Sequence, residues 1–361
     1  MDDRVIGPTH LRSPGARYAD DTDEGHMVRP VRVRVLRWTA VAVVPLAAAG
    51  LSGCSSESVT PANSHVIVYA ALGATIPNPG TTVAALNSAT GTLGTPITVG
   101  TLPSALALLP DAKDLLVTVR AQDELVEVDT ASGDVTRRVG VGLEPDAVAV
   151  TPDGSTALVA NFGDDTVTEV HLPDLIAGPT IHVGRQPVAI ALTPDGHEAL
   201  VLNYQDGTLT PVALPSFAVG APVPVGTGPV AISVPSASEA LVADFQTNSL
   251  TPVSLPSVTP QASIPLGADP TGIGIAPGSS VAWISAGFGL TPVSLVGGLV
   301  GKAIALGVPA QCIAVTNTGQ AWVCSGNGAL VDVDLRSGKV KRTVELDGIP
   351  AAVAIADVVG S

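Results

Sequence analysis

The chain has 361 residues, of which 46% are hydrophobic but only 3% aromatic and 14% charged, with 38 glycines and 31 prolines. So many turn-forming residues among Val, Ala, Leu and Thr favour short strands and tight turns over helices. The formal net charge is -15, which argues against a nucleic-acid partner.

The first 26 residues do not look like the start of an exported protein. They contain six acidic residues ahead of a basic segment, whereas export signals begin with the basic part. We therefore expect the true start at Met27, with residues 1–26 a mis-set start or a disordered extension.

Residues 27–53 have the composition of an export signal. The basic segment "RPVRVRVLR" (29–37) precedes an apolar run that is short for a membrane-spanning helix of about 20 residues. The following "LSGC" (51–54) resembles the bacterial lipobox. This resemblance implies that Cys54 is lipidated and becomes the mature N-terminus, anchored to the cell membrane outside the cytoplasm. An uncleaved anchor is the alternative. Residues 54–63 would then be a short linker.

The remaining chain is an internal repeat whose signature is Gly-x-x-Pro followed by an alternating apolar strand. The spacings between successive anchor positions are 42, 42, 42, 41, 40 and 40 residues. A glycine stands three residues before six of the seven anchors, and Asp347 before the last. The anchors are Pro103, Pro145, Pro187, Pro229, Pro270, Ala310 and Pro350.

Each repeat contains four strands, a to d. In the copy beginning at Gly184 they are "VAIALT", "EALVLN", "GTLTPVAL" and "APVPVG", with "TPDG" as the turn between a and b. A period near 40 with four strands per unit is typical of a β-propeller blade. Residues 65–99 supply strands b, c and d, and residues 349–356 supply a lone strand a. We predict an all-β, seven-bladed propeller over residues 64–357, closed by pairing of its terminal strands.

These repeats resemble the YVTN type found in bacterial seven-bladed propellers. The segments that carry the resemblance are "GLEPDAVAVTPDGSTALVANFGDDTVTEV" (142–170) and "GRQPVAIALTPDGHEALVLNYQDGTLTPV" (184–212). Pro-Asp-Gly is altered in the other copies, to "PDAK", "PSAS", "PGSS" and "TNTG". The resemblance is specific for the fold but not for function, since such proteins include lactonase-like, lyase-like and purely binding members.

Strand a alternates small and large side chains. The second and fourth residues after each anchor are small, for example Ala189 and Ala191, and the third and fifth are large. Because strand side chains alternate between faces, we expect the small face to line the central channel and to leave it without acids, bases or nucleophiles. Binding is then expected at a channel mouth.

The Gly-x-x-Pro loops and the turns between strands b and c are predicted to share one end of the ring, here called the top face. The opposite end is the bottom face. Polar and aromatic residues of the top-face loops are the candidate binding residues. They are Arg120, Glu144, Asp146, Phe162, Arg185, Gln186, Tyr204, Asp244, Phe245, Asp269 and Gln311.

Two top-face features each admit two interpretations. Phe162, Tyr204 and Phe245 hold equivalent places in successive blades, so they either form an aromatic arc for a sugar, peptide or lipid ligand or pack on the next blade. Arg185 either binds an anion or pairs with Glu144, Asp146 or another neighbour. The loop insertion at 70–82 would overhang this mouth.

Cys312 and Cys324 lie on strands a and b of one blade, equally spaced about Thr318. Residues directly opposite in such a hairpin are about 4.5 Å apart at Cα when the pair is not hydrogen-bonded, so we expect a disulfide outside the cytoplasm. Two buried thiols are the alternative.

No motif assigns an enzymatic activity. There is no Gly-x-Ser-x-Gly elbow, calcium loop or complete phosphate loop, and the histidines are scattered, so no metal or other cofactor is expected. The sequence favours a monomeric, membrane-anchored propeller that binds an envelope protein, glycan or small molecule without catalysis. The alternatives are a lactonase-like hydrolase or lyase that uses Glu144 or Asp146 beside Arg185, and a structural envelope protein.

Overall fold

The computed structural model describes residues 65–73 and 79–358, in which strands and turns occur but no helix. Within these residues, therefore, no helix is long and apolar enough to cross a membrane. The described strands form seven antiparallel sheets that pack in a ring, so the prediction of an all-β, seven-bladed propeller is confirmed. Cys54, the segments around it and part of the 70–82 insertion lie outside the described residues.

The strands are short, and most contain six residues. In chain order they are β1 His65–Leu72, β2 Thr82–Asn87, β3 Thr92–Leu93, β4 Ile97–Thr98, β5 Pro103–Leu108, β6 Asp114–Val119, β7 Glu124–Asp129, β8 Val135–Gly140, β9 Pro145–Val150, β10 Thr156–Asn161, β11 Thr166–His171, β12 Ile176–His182, β13 Pro187–Leu192, β14 Glu198–Asn203, β15 Thr208–Ala213, β16 Ala218–Val219, β17 Val223–Pro224, β18 Pro229–Ser236, β19 Glu239–Asp244, β20 Ser249–Ser254, β21 Thr259–Pro260, β22 Ile264–Pro265, β23 Pro270–Ile275, β24 Val281–Ala286, β25 Gly289–Ser294, β26 Ile304–Ala305, β27 Ala310–Val315, β28 Gln320–Ser325, β29 Ala329–Asp334, β30 Lys339–Glu345 and β31 Pro350–Val358.

The blades are numbered from the first complete one. Blades 1 to 6 begin with β5, β9, β13, β18, β23 and β27, and each continues through strands b, c and d in chain order. Strand d is interrupted in blades 3 and 4, where β16 and β17, and likewise β21 and β22, both pair with strand c.

Blade 7 combines the two ends of the propeller. Strand β31 supplies its strand a and pairs antiparallel with β1, with His65 opposite Val358 and Ala70 opposite Val353. Strand β1 pairs in turn with β2, which carries β3 and β4. The ring therefore closes through the backbone hydrogen bonds of a sheet, as the half-blades at the two ends of the repeat array predict.

The expectation that the small residues of strand a line the channel is wrong. Each strand a packs beside strand a of the next blade, and most of the small side chains are buried in that contact, although Ala191 and Ser233 are half-buried. Ala105 and Ala107, for example, belong to the same buried cluster as Val148 and Val150 of blade 2. The side chains on this face of strand a are small because large side chains of the next blade pack against them.

Gly274 shows how close this approach is. A Cβ atom added there would lie 2.6 Å from Cγ2 of Val315 in blade 6 and 3.1 Å from Cγ1 of Ile313. Strand a therefore presents its edge, rather than one face, to the central axis. The apolar cavity at the bottom mouth, of about 210 Å³, is accordingly bordered by both small and large residues, such as Ala191 and Leu192.

Cys312 and Cys324 occupy opposite positions of β27 and β28, with their Cα atoms 4.9 Å apart. They are joined by a disulfide, and both are fully buried among the hydrophobic residues between blades 6 and 7.

The fourth residue of strand c separates two kinds of blade. It is a carboxylate in blades 1, 2 and 6, at Glu127, Glu169 and Asp332, and a proline in blades 3, 4 and 5. Proline has no N–H to donate to strand d, and strand d of these three blades is short or interrupted. We call blades 3, 4 and 5 the proline blades.

The turn between strands c and d also varies between blades. Its fourth residue has a positive φ in every blade, a conformation that favours glycine. Blades 2, 3 and 4 nevertheless place Leu175, Phe217 and Val258 there, each buried against the preceding blade. We call these three residues the plugs. The other blades carry Gly91, Gly133, Gly298 and Gly338.

Candidate functional site on the top face

The top-face loops are held from below by the last residue of strand b. Asn203 Oδ1 accepts a hydrogen bond from the backbone N–H of Gly184 at 3.1 Å, which fixes the start of the Gly-x-x-Pro loop. Its Nδ2 donates to the hydroxyls of Thr208 and Thr210 at 3.0 and 2.8 Å. Asn203 is fully buried, so its role is to support the loop rather than to contact a ligand.

Asp244, a candidate binding residue, holds the same position in blade 4. It is fully buried, and its carboxylate accepts hydrogen bonds from the backbone N–H groups of Gly228 at 3.2 Å and Thr247 at 3.0 Å. The structure thus places Asp244 beneath the loops, out of reach of a ligand on the top face.

Two further aspartates tie neighbouring blades together. Asp123 of blade 1 accepts a hydrogen bond from the backbone N–H of Glu144 in the next loop, at 2.8 Å. Asp165 of blade 2 does the same for Gln186, also at 2.8 Å. Neither aspartate was among the candidate binding residues, although their matching places, directly before strand c of successive blades, were visible in the sequence.

Arg120 is the centre of a charged cluster between blades 1 and 2. Its Nη2 lies 2.6 Å from Glu144 Oε2, and its Nη1 lies 3.0 Å from Asp146 Oδ1. Its Cζ stands 4.6 Å from the centroid of the Phe162 ring, within the range of a cation–π contact. Asp146 is only 4% exposed. The cluster joins a turn of blade 1 to the loop and turn of blade 2.

Arg185 does not join this cluster. Its Nε lies 2.6 Å from Asp206 Oδ1, and its backbone N–H donates to Asp206 Oδ2 at 2.7 Å. These contacts lower the pKa of Asp206, with the backbone hydrogen bond as the main cause. Arg185 thus has an acidic partner, as one interpretation expected, but the partner comes from its own blade. The pairing with Glu144 or Asp146 that an enzyme would need is absent.

The three aromatic residues of the expected arc are half-buried. Phe162 and Tyr204 pack against the hydrophobic cluster shared by blades 2, 3 and 4, and Phe245 packs against the cluster of blades 4 and 5. Tyr204 also accepts a hydrogen bond from Nε2 of Gln246 in the next blade, at 3.4 Å. These rings contact neighbouring blades, which is the packing interpretation.

The most exposed apolar side chains of the top face lie elsewhere. Phe288, in the two-residue turn between β24 and β25, is 65% exposed, and Leu143, in the blade 2 loop, is 53% exposed. The remaining candidates differ in exposure: Asp269 is exposed, whereas Gln186 and Gln311 are half-buried. Phe288 was not among the candidates because the turn that contains it is shorter than the turns of Phe162, Tyr204 and Phe245 and does not align with them. The short turn itself was the available signal.

The described residues contain no group of three or more His, Cys, Asp or Glu side chains that could hold a metal ion. Burial raises the pKa of Asp114, Glu198, Glu239 and Asp332, which lie on the strands of the blades rather than in the top-face loops. The side chains that border the bottom-mouth cavity include none that titrates. The geometry thus presents a loop surface braced by the ion pairs of Arg120 and Arg185.

Comparison with solved structures shows the fold. The chain is similar to a functionally unknown protein from Desulfotomaculum acetoxidans (TM-score 0.72, 18% identity, 81% of this chain and 99% of that one). It is also similar to hydrazine synthase from Kuenenia stuttgartiensis (TM-score 0.64, 16% identity, 74% and 90%). The WD40 repeats of RRP9 are a third example (TM-score 0.61, 12% identity, 69% and 82%). No protein-family model and no curated protein matches the sequence.

Proposed function

We propose that this protein is a lipid-anchored, extracytoplasmic propeller that binds an envelope partner through its top face without catalysing a reaction. The main support for the proposal is that charged side chains of the top face pair with one another. Arg120 is held by Glu144 and Asp146, and Arg185 by Asp206, so the charged groups brace the loops. A surface stiffened in this way suits recognition by many small contacts.

The residues that project from this surface indicate the chemistry of the partner. Leu143 and Phe288 expose more than half of their surface, and neither Lys nor Arg occurs between Arg185 and Lys302. An apolar patch on a neutral or basic protein therefore fits better than an anionic ligand. We propose that the protein acts as a monomer and needs no cofactor for this role.

The hydrolase or lyase interpretation has weaker support. It needs Glu144 or Asp146 to act beside Arg185, whereas both carboxylates engage Arg120. A general base must reach the proton that it removes, and these oxygens already accept hydrogen bonds from the guanidinium. A purely structural role in the envelope remains distinct from the proposal, because it requires no partner on the top face.

The binding proposal is tested by changing the exposed side chains only. We expect the double variant Leu143→Ser with Phe288→Ser to lose partner binding by on the order of tenfold or more, as removal of buried interface anchors does. Ile176→Ser is the control, since Ile176 is 56% exposed on strand d, away from the top-face loops. Equal partner capture from envelope extracts by the double variant, the control and the unaltered protein would contradict the proposal.

Anchoring is tested separately through Cys54. We expect Cys54→Ser to abolish acylation and lipobox processing, which the intact mass of the protein reports. An unchanged mature mass in the variant would refute lipid anchoring but would leave the top-face proposal standing.

A further inference from the structure

The chain enters the propeller at its bottom face. His65 begins β1 and pairs with Val358, the last residue of β31, whereas the top-face end of that hairpin pairs Leu72 with Pro350. Cys54 is eleven residues before His65, and eleven residues span at most about 36–40 Å. An anchor at Cys54 would therefore keep the bottom of blade 7 near the bilayer.

The turn between strands c and d of blade 5 lies on the same face and is unusually apolar. Val296 is 77% exposed, Leu299 74% and Val300 43%. Blades 3 and 4 instead bury a plug at the fourth position of this turn, where blade 5 has Gly298. A groove of about 350 Å³ remains beside Gly298, between Ile264 of blade 4 and the turn itself.

The corresponding turn of blade 6 is the most basic segment of the propeller. Residues 335–342 contain four basic residues and no acidic one, in a protein whose net charge is -15. Lys341 and Arg342 lie near Asp334 and Asp332, at 3.8 and 3.2 Å. Arg336 and Lys339 are exposed at the turn.

The blade 6 turn packs against blade 5. A Cβ atom added at Gly338 in the blade 6 turn would lie 3.7 Å from Cγ1 of Ile304, on strand d of blade 5. Apolar side chains, basic side chains and the entry point of the anchored chain thus occur on consecutive blades, 5, 6 and 7, at one face of the ring.

We propose that this bottom edge of blades 5 and 6 docks on the bilayer, with Val296, Leu299 and Val300 entering the interface and Arg336 and Lys339 contacting anionic headgroups. The proposal deepens the proposed anchoring, because it assigns the face that an anchored propeller turns toward the membrane. Apolar side chains with neighbouring cations are the combination that interfacial binding requires.

A bilayer explains the patch better than a protein partner does. The tether brings this edge to the membrane at high effective concentration, so even a few inserted side chains suffice. The basic turn is complementary to an anionic leaflet, while the remaining acidic surface is repelled by it. Docking would leave the top face directed away from the membrane.

The test is fluorescence of the full-length protein in phosphatidylcholine–phosphatidylglycerol vesicles, with Leu299→Trp as the reporter. Ile176→Trp is the matched control, since Ile176 holds the same turn position in blade 2 and is 56% exposed. Emission of the unaltered protein is subtracted to remove its native tryptophans. We expect lipids brominated on their acyl chains to quench the added emission of Leu299→Trp severalfold more than that of Ile176→Trp.

A second variant tests the basic turn. Arg336→Gln with Lys339→Gln, introduced together into Leu299→Trp, should weaken docking roughly 30-fold and abolish most of the quenching. Arg336→Lys should retain it. Equal quenching at the tryptophans introduced at positions 299 and 176, or no quenching at position 299, would overturn the proposal. Acylation of Cys54, read from the mass of the same sample, separates these outcomes from a failure of anchoring.

Discussion

Blades 1 and 6 differ from the proline blades in the residues that join strand c to strand d. In blades 1 and 6 the fourth residue of strand c is a buried carboxylate, and an arginine of strand d pairs with it. Glu127 meets Arg137 at 2.6 Å, and Asp332 meets Arg342 at 3.2 Å. In the proline blades the same position is a proline, strand d carries no arginine, and strand d is short or interrupted.

The two groups of blades differ in how they contact their neighbours in the ring. Arg137 also donates to the backbone carbonyl of Pro173 in blade 2, and Arg138 donates to that of Val99 in blade 7. Charged side chains thus tie blade 1 to both neighbours, including the blade formed by the two chain ends. In blades 3 and 4, buried plugs from the turns fill the space between blades instead. The following substitutions separate these two solutions.

The largest effect is expected from removing a plug. Phe217→Ala should lower the free energy of unfolding by about 3 kcal/mol, because a buried ring is replaced by a cavity between blades 2 and 3. Phe217→Gly should cost about 1 kcal/mol less than Phe217→Ala, since φ is 56° there and glycine relieves the strain. Denaturant unfolding of both variants checks the order, and a more stable alanine variant would contradict it.

A second effect is expected from the disulfide of blade 6. Cys312→Ser with Cys324→Ser opens a covalent loop of twelve residues and should cost about 2–3 kcal/mol. Thermal unfolding with and without reductant measures it. If reductant lowers the melting temperature of the double variant as much as that of the unaltered protein, the bridge does not stabilise the blade.

Arg137→Met should cost about 2 kcal/mol. It leaves Glu127, whose side chain is 4% exposed, without its bidentate partner. Arg138→Met is the matched control, because Arg138 is equally exposed but pairs with the more exposed Glu124. The control should cost about 1 kcal/mol or less. Equal losses of unfolding free energy would show that burial of the carboxylate is unimportant.

The smallest effect concerns pH in blade 4. Burial raises the pKa of Glu239, so its carboxyl stays protonated to a higher pH in the native state than in the unfolded chain, where its pKa is about 4.3. Stability from this group therefore increases as the pH falls through the raised native pKa toward the unfolded value. Glu239→Gln should add about 0.5 kcal/mol at neutral pH and remove this step. A variant with the same stability–pH slope in that window would contradict the assignment.

The sequence predicted the repeat architecture because each blade repeats the same local signals. Gly-x-x-Pro anchors, alternating strands and Pro-Asp-Gly turns recur at nearly constant spacing, and the two partial blades at the ends define the closure. The opposition of Cys312 and Cys324 was likewise predictable, since hairpin register follows from turn position.

The channel prediction failed because alternation reveals two faces of a strand but not what covers them. Both faces of strand a are covered by neighbouring blades, and Gly274 is small because Val315 of blade 6 needs its space. The partners of Arg120, Glu144 and Asp146, also come from the next blade. Contacts between repeats are not encoded within one repeat, so reading a single unit could not show them.

One experiment can identify what contacts the top face and what contacts the bottom edge of the propeller in the same membrane sample. A photo-crosslinking amino acid is placed at Phe288 on the top face or at Leu299 on the bottom edge of the full-length protein, in its native membrane. We expect a protein adduct from position 288 and lipid adducts from position 299. Lipid adducts from position 288, or the same protein adduct from both positions, would contradict this expectation.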